Sequence, residues 1–176
     1  MADVDAYNLA VLIIRVWLAV VMLAHGINHI FGGGKIAGTG RWFESLGMKP
    51  GPLHAWTASL TELGAGALLI LGLLTPLAAA GVVGVMVVAF ITNHRKVGFF
   101  VFKRPTEGYE YVLTLTFVAL ALGALGAGEW SVDDALDMED MAGWTGFWIT
   151  VIAGFGGAAG LLAVFWRPPP PDTEGD

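Results

Sequence analysis

The sequence predicts an all-α membrane protein, a polytopic helical bundle with a four-helix core and a fifth, C-terminal transmembrane helix. Of the 176 residues, 56% are hydrophobic and only 14% are charged, and the mean hydropathy is +0.69. A soluble domain of this size cannot bury so much apolar surface. Long apolar stretches also recur along the chain, separated by polar or glycine-rich loops, and each approaches the length that crosses a bilayer.

The composition excludes several classes of function. The chain has no cysteine, which rules out disulfides, thiol redox chemistry, thiolate metal sites and iron–sulfur ligation by this chain. The net charge is −6 and no basic patch alternates with aromatic residues, so we expect no nucleic-acid partner. The acidic N-terminus MADVDAYN lacks a basic n-region, so we expect no cleaved signal peptide.

Residues 9–31 form the first predicted span and carry most of the unusual polar residues. Arg15, His25, Asn28 and His29 interrupt an otherwise apolar stretch. Polar groups at membrane depth are costly, so they usually face the interior of a bundle. At about 100° per residue, Arg15 and His29 fall close to one face with His25 beside it. This polar stripe predicts that other helices pack against it.

The remaining elements follow from hydropathy and from helix-breaking residues. A short acidic lead, 1–8, precedes the first span, and a Pro-rich acidic tail, 167–176, is expected to be disordered. Thr75-Pro76 predicts an N-cap followed by a proline in the first helical turn, so the spans on either side are antiparallel neighbours. The four further spans are about 56–74, 76–92, 109–127 and 144–166.

The loop charges predict the orientation in the membrane. With five spans, the 32–55 loop, the 93–108 loop and the C-terminus share one side, and that side holds every Lys and Arg except Arg15. The positive-inside rule places the N-terminus outside and the C-terminus in the cytoplasm. The basic residues are Lys35, Arg41, Lys49, Arg95, Lys96, Lys103, Arg104 and Arg167.

Several ionisable residues are expected to meet inside the bundle. His25 and Glu62 lie equally far, about 9 Å, from the cytoplasmic ends of their spans, which predicts a His–Glu contact between the first two helices. His54 falls in a loop and is expected to be solvated. The candidate cluster comprises Arg15, His25, His29, Glu62, His94 and Glu110.

Arg15 belongs to the opposite half of the membrane and needs its own partner. An unpaired arginine there costs about 2.5–3.5 kcal/mol even by the lower estimates. The acidic outer loop offers Asp133, Asp134 and Asp137, and we favour Asp133 because WSVD can turn back into the mouth of the bundle. We interpret this pair as structural rather than catalytic.

The cluster around Glu62 has more than one interpretation. Glu62 can serve in a structural pair, in proton handling, or in a hydrogen bond to a quinone. His25 and His29 are spaced to share a metal ion, and either histidine with His94 can ligate a haem. Because nothing fixes a complete ligand set, we predict no metal site, no haem and no intrinsic cofactor, with a quinone or a lipid as the candidate bound molecule.

The pattern resembles the DoxX family of small bacterial membrane proteins over about residues 9–137. The chain departs from the family in two ways: members often have Lys where this chain has His29, and many lack the fifth span. The matching positions, which form the family's polar set here, are Arg15, His25 followed by Gly26, Glu62 in ELGAGALLILGLLTP, Glu110 in YEYVLTL and Asp133 in GAGEWSVDDAL, with Phe31-Gly32 between them.

The resemblance implies an accessory or anchoring subunit of a redox or respiratory complex in the bacterial cell membrane. Some relatives resemble the membrane subunit of thiosulfate:quinone oxidoreductase, and a mycobacterial relative is associated with superoxide dismutase and a thiosulfate sulfurtransferase. The expected partners are therefore the lipid bilayer, other membrane oxidoreductase or respiratory subunits, and an extracytoplasmic protein such as superoxide dismutase. The composition, rich in alanine and glycine, suits an actinobacterial source.

The alternative function is a quinone-interacting oxidoreductase subunit. In it, His25 and Glu62 pass protons while a partner supplies the electrons, so the chain is not catalytic alone. A transporter is a third and weaker interpretation, because the bundle is small and no inverted repeat is visible.

Overall fold

The computed structural model describes residues 3–102 and 107–168, and this part of the chain is an all-helical bundle without a β-strand. The predicted fold class is confirmed. The helices are α1 (Val4–Phe31), α2 (Lys35–Ser45), α3 (Gly51–Leu71), α4 (Thr75–Ala89), which continues as a π-helical turn (Phe90–His94), α5 (Glu110–Leu125), α6 (Val132–Ala135) and α7 (Gly143–Phe165), with a 3₁₀ turn at Glu139–Met141.

Within the part of the chain that the structure describes, three helical segments are long and apolar enough to cross a membrane. They are Val4–Phe31, Thr75–His94 and Gly143–Phe165, and the shorter Glu110–Leu125 is also apolar. The 21-residue α3 is long enough, but it carries His54, Ser59 and Glu62, which lower its hydropathy. The count of five spans therefore stays a prediction for α3 and α5.

The predicted acidic lead over 1–8 is wrong from residue 4 onward, because α1 begins at Val4. The side chain of Asp3 accepts hydrogen bonds from the backbone N–H groups of Asp5 and Ala6, at 3.0 and 3.5 Å. This N-cap satisfies donors that would otherwise remain free at the start of the helix. The apolar pattern predicted only residues 9–31 of this helix, because its first turns are polar.

The glycine-rich segment 32–55, predicted as a loop, contains α2 and the first turn of α3. Gly40 lies directly against the backbone of Gly51 and Pro52, and a side chain at Gly51 would collide with the carbonyl of Gly40. This close approach lets α2 pack on α3 and bury Phe43. The glycines thus permit helix packing here instead of breaking the helix.

The predicted N-cap at Thr75 is wrong, because Thr75 is already the first residue of α4 and its hydroxyl has no hydrogen-bond partner among the described residues. The start of α4 is capped by Asp133, which is distant in sequence. Its carboxylate accepts hydrogen bonds from the backbone N–H groups of Leu74, at 2.7 Å, and Thr75, at 3.0 Å. A local pattern search cannot find a cap supplied from another loop.

Successive long helices of the chain run in opposite directions, and α4 is the central helix of the bundle. Gly26 of α1 faces Leu63 and Gly66 of α3 faces Leu23, so α1 and α3 are antiparallel. Gly154 of α7 packs on Val83 of α4, and α4 also contacts α3 and α5. Most of the buried apolar core lies among α1, α3, α4 and α5.

The two ends of the bundle differ in charge. The end formed by the C-termini of α1 and α7 carries the described basic residues of the loops, and we call it the basic end. The other end holds α6 and the acidic segment 129–140, and we call it the acidic end. Which end faces the cytoplasm stays a prediction. Lys103, Arg104 and residues 169–176 of the predicted tail lie outside the described residues.

The C-terminus of α7 is tied to the loop between α2 and α3. The backbone N–H of Lys49 donates to the carbonyl of Phe165 at 3.3 Å, and the indole of Trp166 donates to the carbonyl of Leu46 at 3.0 Å. Met48 forms an isolated β-bridge with Trp166. These contacts close the basic end beneath a cavity.

Candidate functional site: a polar pair in an apolar cavity

The centre of the site is an ion-pair contact between α1 and α3. Nδ1 of His29 lies 3.0 Å from Oε2 of Glu62, and both side chains are largely buried. Neither atom has a well-aligned hydrogen bond to another group in the described part of the chain. A buried carboxylate is costly without a partner, so the contact with His29 offsets part of that cost.

The predicted contact of Glu62 with His25 is wrong, and His29 takes that place. Gly26 packs against α3, so Met22, Gly26 and His29 share the face of α1 that meets α3. His25 is rotated about 100° from Gly26 and is exposed, with its ring 6.4 Å from that of Tyr111. The helical side chain of His29 leans toward the N-terminus of α1, which brings it to Glu62.

A cavity of about 480 Å³ adjoins the pair. This volume falls in the range of about 300–1,000 Å³ that is usual for small-molecule sites. Its lining is mainly apolar, with residues from α1 to α5 and α7. The exposed residues Thr57, Leu77 and Gly157 are among them, so the cavity opens on the bundle surface between α3 and α7.

Small residues of α4 form the floor of this opening. Ala80, Gly81 and Gly84 lie between the wall of α3 and the wall of α7. Because these residues are short, α4 leaves space that larger side chains would fill.

The inner end of the cavity is aromatic. The ring of Phe43 lies 6.2 Å from that of His29, 5.1 Å from that of Trp42 and 6.4 Å from that of His54. The ring of His54 also meets Phe165 edge-on at 5.1 Å. Flat rings therefore surround the space between the two histidines.

The expectation that His54 is solvated is wrong. Only 3% of its surface is exposed, and its Nε2 is buried without a hydrogen-bond partner among the described residues. The reason is that α3 begins at Gly51, so His54 lies in a helix that packs against α2. The helical spacing between His54 and Glu62 is the feature of the sequence that could have predicted that both lie on the same wall of the cavity.

The other members of the predicted cluster separate into two groups. His94 lines the cavity, and its Nδ1 lies 2.7 Å from the carbonyl oxygen of Glu107. Glu110 does not line it; its carboxylate accepts a hydrogen bond from the backbone N–H of Val101 at 3.2 Å. Tyr111, which the sequence did not suggest, is part of the lining.

Arg15 lies apart from the cavity, toward the acidic end, and is 1% exposed. Nη1 donates to the carbonyl of Ala127 at 3.0 Å and Nη2 to that of Trp130 at 2.8 Å. The expected ion pair with Asp133, Asp134 or Asp137 is not formed within 4 Å in the described residues. The loop after α5 surrounds the guanidinium of Arg15. Backbone carbonyls of this loop therefore accept its hydrogen bonds in place of the aspartate carboxylates.

The three candidate aspartates have different surroundings. Asp133 is buried and caps α4. Asp134 is half-buried, and its backbone N–H donates to the hydroxyl of Ser131 at 3.2 Å. Asp137 is exposed. Within residues 3–102 and 107–168, no three His, Asp or Glu side chains are grouped so that they could hold a metal ion.

The apolar helices and the polar residues enclosed between them define a helical membrane protein. Residues 10–95, which run from α1 through the π-helical turn, match the family model of DoxX, so this segment belongs to the DoxX family. The match includes His29, His54 and Glu62 but not α5, α6 or α7. No curated protein and no solved structure matches the chain.

Proposed function

We propose that this protein is a quinone-binding subunit of a bacterial membrane oxidoreductase complex. The observation that carries the proposal is the His29–Glu62 pair at the wall of an apolar cavity. A quinone has a polar ring and an apolar tail. The polar pair suits the ring, and the opening between α3 and α7 suits the tail.

The pair also suits the proton chemistry of a quinone. Reduction to the quinol consumes two electrons and two protons per ring. Glu62 and His29 are both able to hold and donate a proton, and they lie in contact. A proton given to the ring oxygen from this pair would be replaced from the basic end, where His94 also lines the cavity.

The electrons must come from outside this chain in the proposed reaction. The chain contains no cysteine, so it supplies neither a thiol nor an iron–sulfur ligand from cysteine. We therefore assign electron delivery to a redox subunit of the complex. The DoxX protein would supply the quinone site within the membrane.

The test is quinone binding by the purified protein in lipid nanodiscs. Titration with menadione should quench tryptophan fluorescence, because Trp42 lines the cavity. Glu62→Leu should weaken binding about two- to tenfold, because it removes the carboxyl O–H that donates a hydrogen bond to the ring carbonyl, and such a bond contributes about 0.5–1.5 kcal/mol. Glu44→Leu is the matched control, because Glu44 is exposed near the basic end. No saturable binding to the unmodified protein would refute the proposal.

A second candidate function, an accessory subunit that docks a partner, is favoured by the surface of the acidic end. Trp130 and Leu136 are 47% and 57% exposed there, beside the exposed acids Asp137 and Asp140. Exposed apolar residues rimmed by charges are typical of protein contacts. The partner would be an oxidoreductase or respiratory subunit, or an extracytoplasmic protein such as superoxide dismutase.

The docking function is tested by purification from native membranes in mild detergent. Redox subunits should co-purify with the unmodified protein and be lost with Leu136→Ser. Ile152→Ser, on the exposed face of α7, is the control for a general effect of removing a surface apolar group. Recovery of the unmodified protein alone would count against docking and would leave the quinone site untouched.

A further inference from the structure

His54 is a further polar group that lines the cavity, and it lacks a hydrogen-bond partner among the described residues. It lies on α3, two helical turns from Glu62, and its Nε2 is buried without a hydrogen bond among the described residues. A buried polar atom with no partner is costly, and such atoms usually meet a ligand or water. The rings of Phe43 and Phe165 contact it, and neither offers a hydrogen-bonding group, so a molecule in the cavity can act as the partner.

Phe43 connects the two polar groups. The centroid of its ring is 6.2 Å from that of His29 and 6.4 Å from that of His54. The positions of His54 and Glu62 on α3 are separated by about 12 Å along the helix axis. A six-membered ring with oxygens on opposite sides, plus one hydrogen bond of about 2.9 Å at each oxygen, covers a comparable distance.

From this arrangement we infer that His54 binds the second oxygen of the quinone, opposite the oxygen that meets His29 and Glu62. The inference rests on the proposed quinone site and specifies its ligand as a ring with two opposed oxygens. His54 Nε2 donates to the carbonyl of the oxidised ring, and in its other tautomer accepts from the hydroxyl of the quinol.

Comparing the Kd values of menadione and α-tetralone isolates the contribution of the second oxygen. Menadione has two opposed carbonyls, whereas α-tetralone is a fused two-ring ketone of similar shape with one. His54→Phe keeps an aromatic ring and removes Nε2, so it should raise the Kd of menadione about two- to tenfold. The preference of the protein for menadione over α-tetralone should fall by the same factor. His54→Gln, which retains a hydrogen-bonding group, should restore part of the affinity.

The failure of this inference is distinct from that of the proposed function. If His54→Phe binds menadione as tightly as the unmodified protein, and Glu62→Leu does not, the inference is overturned and the quinone site remains. If the unmodified protein binds no menadione, both are overturned.

Infrared spectra provide a measurement that needs no variant. Menadione labelled with ¹³C at one carbonyl or at the other is bound to the unmodified protein. Both carbonyl bands should move to lower frequency relative to apolar solvent, because each oxygen accepts a hydrogen bond. One band that stays at its solvent position would overturn the role of His54.

Discussion

Asp133 caps the helix that begins at Thr75, although the two residues are 58 positions apart in the chain. The carboxylate occupies the N-terminus of α4, where free N–H groups and the helix dipole favour a negative charge. The contact joins the loop at the acidic end to the central helix of the bundle. The contact therefore connects the folding of α6 to the position of α4, and α4 forms the floor of the cavity.

Removing this cap should destabilise the protein. We expect Asp133→Ala to lower the free energy of unfolding by about 1–2 kcal/mol, because two buried backbone donors lose their acceptor. Thermal unfolding in detergent, followed by circular dichroism, measures the change. Asp140→Ala removes an exposed aspartate from the same segment and should leave the melting temperature nearly unchanged. Equal effects of the two substitutions would contradict the capping role.

Replacing each of two glycines with alanine should change the free energy of unfolding in opposite directions. Gly72 has φ +63°, and a Cβ there would collide with the guanidinium of Arg15. Gly72→Ala should therefore cost at least about 1–3 kcal/mol from backbone strain and displaced hydrogen bonds. Gly64 lies within α3 with open space around it, so Gly64→Ala should stabilise by about 0.5–1 kcal/mol. Unfolding curves of both variants test the pair, and a stable Gly72→Ala would show that Arg15 can move freely.

Coupling between His29 and Glu62 should be measurable without any ligand. His29→Leu leaves a buried carboxyl group without its partner, and Glu62→Leu does the same to the imidazole. Breaking a buried pair from one side can cost about 3–5 kcal/mol, whereas replacing both members is often much less costly. The double variant should therefore unfold at a higher temperature than the sum of the single effects predicts. Additive effects would mean that the contact contributes little.

The membrane orientation can be tested with single cysteines, because the chain has none of its own. A cysteine at Asp137 should react with a membrane-impermeant maleimide added to intact cells. A cysteine at Lys96 should react only after the cells are opened. Both positions are exposed, so a difference reports the side of the membrane and not burial. The reverse pattern would invert the proposed topology.

The site was only partly visible in the sequence. Glu62 and His29 could be identified because ionisable residues stand out in apolar stretches, and hydropathy is a local property. His54 was missed because the start of α3 depends on Gly51 packing against Gly40, which hydropathy does not report. The choice of His29 over His25 depends on the rotation of α1, which the contact of Gly26 with Leu63 fixes.

The sequence by itself determined that the protein is a helical membrane bundle, where its longest apolar helices lie and that its two ends differ in charge. Those properties follow from composition and from patterns within single segments. Only the tertiary structure decided that Arg15 is held by the carbonyls of Ala127 and Trp130 and that Asp133 caps α4. These contacts join groups far apart in the chain, and side-chain packing between helices sets which of several similar residues meet.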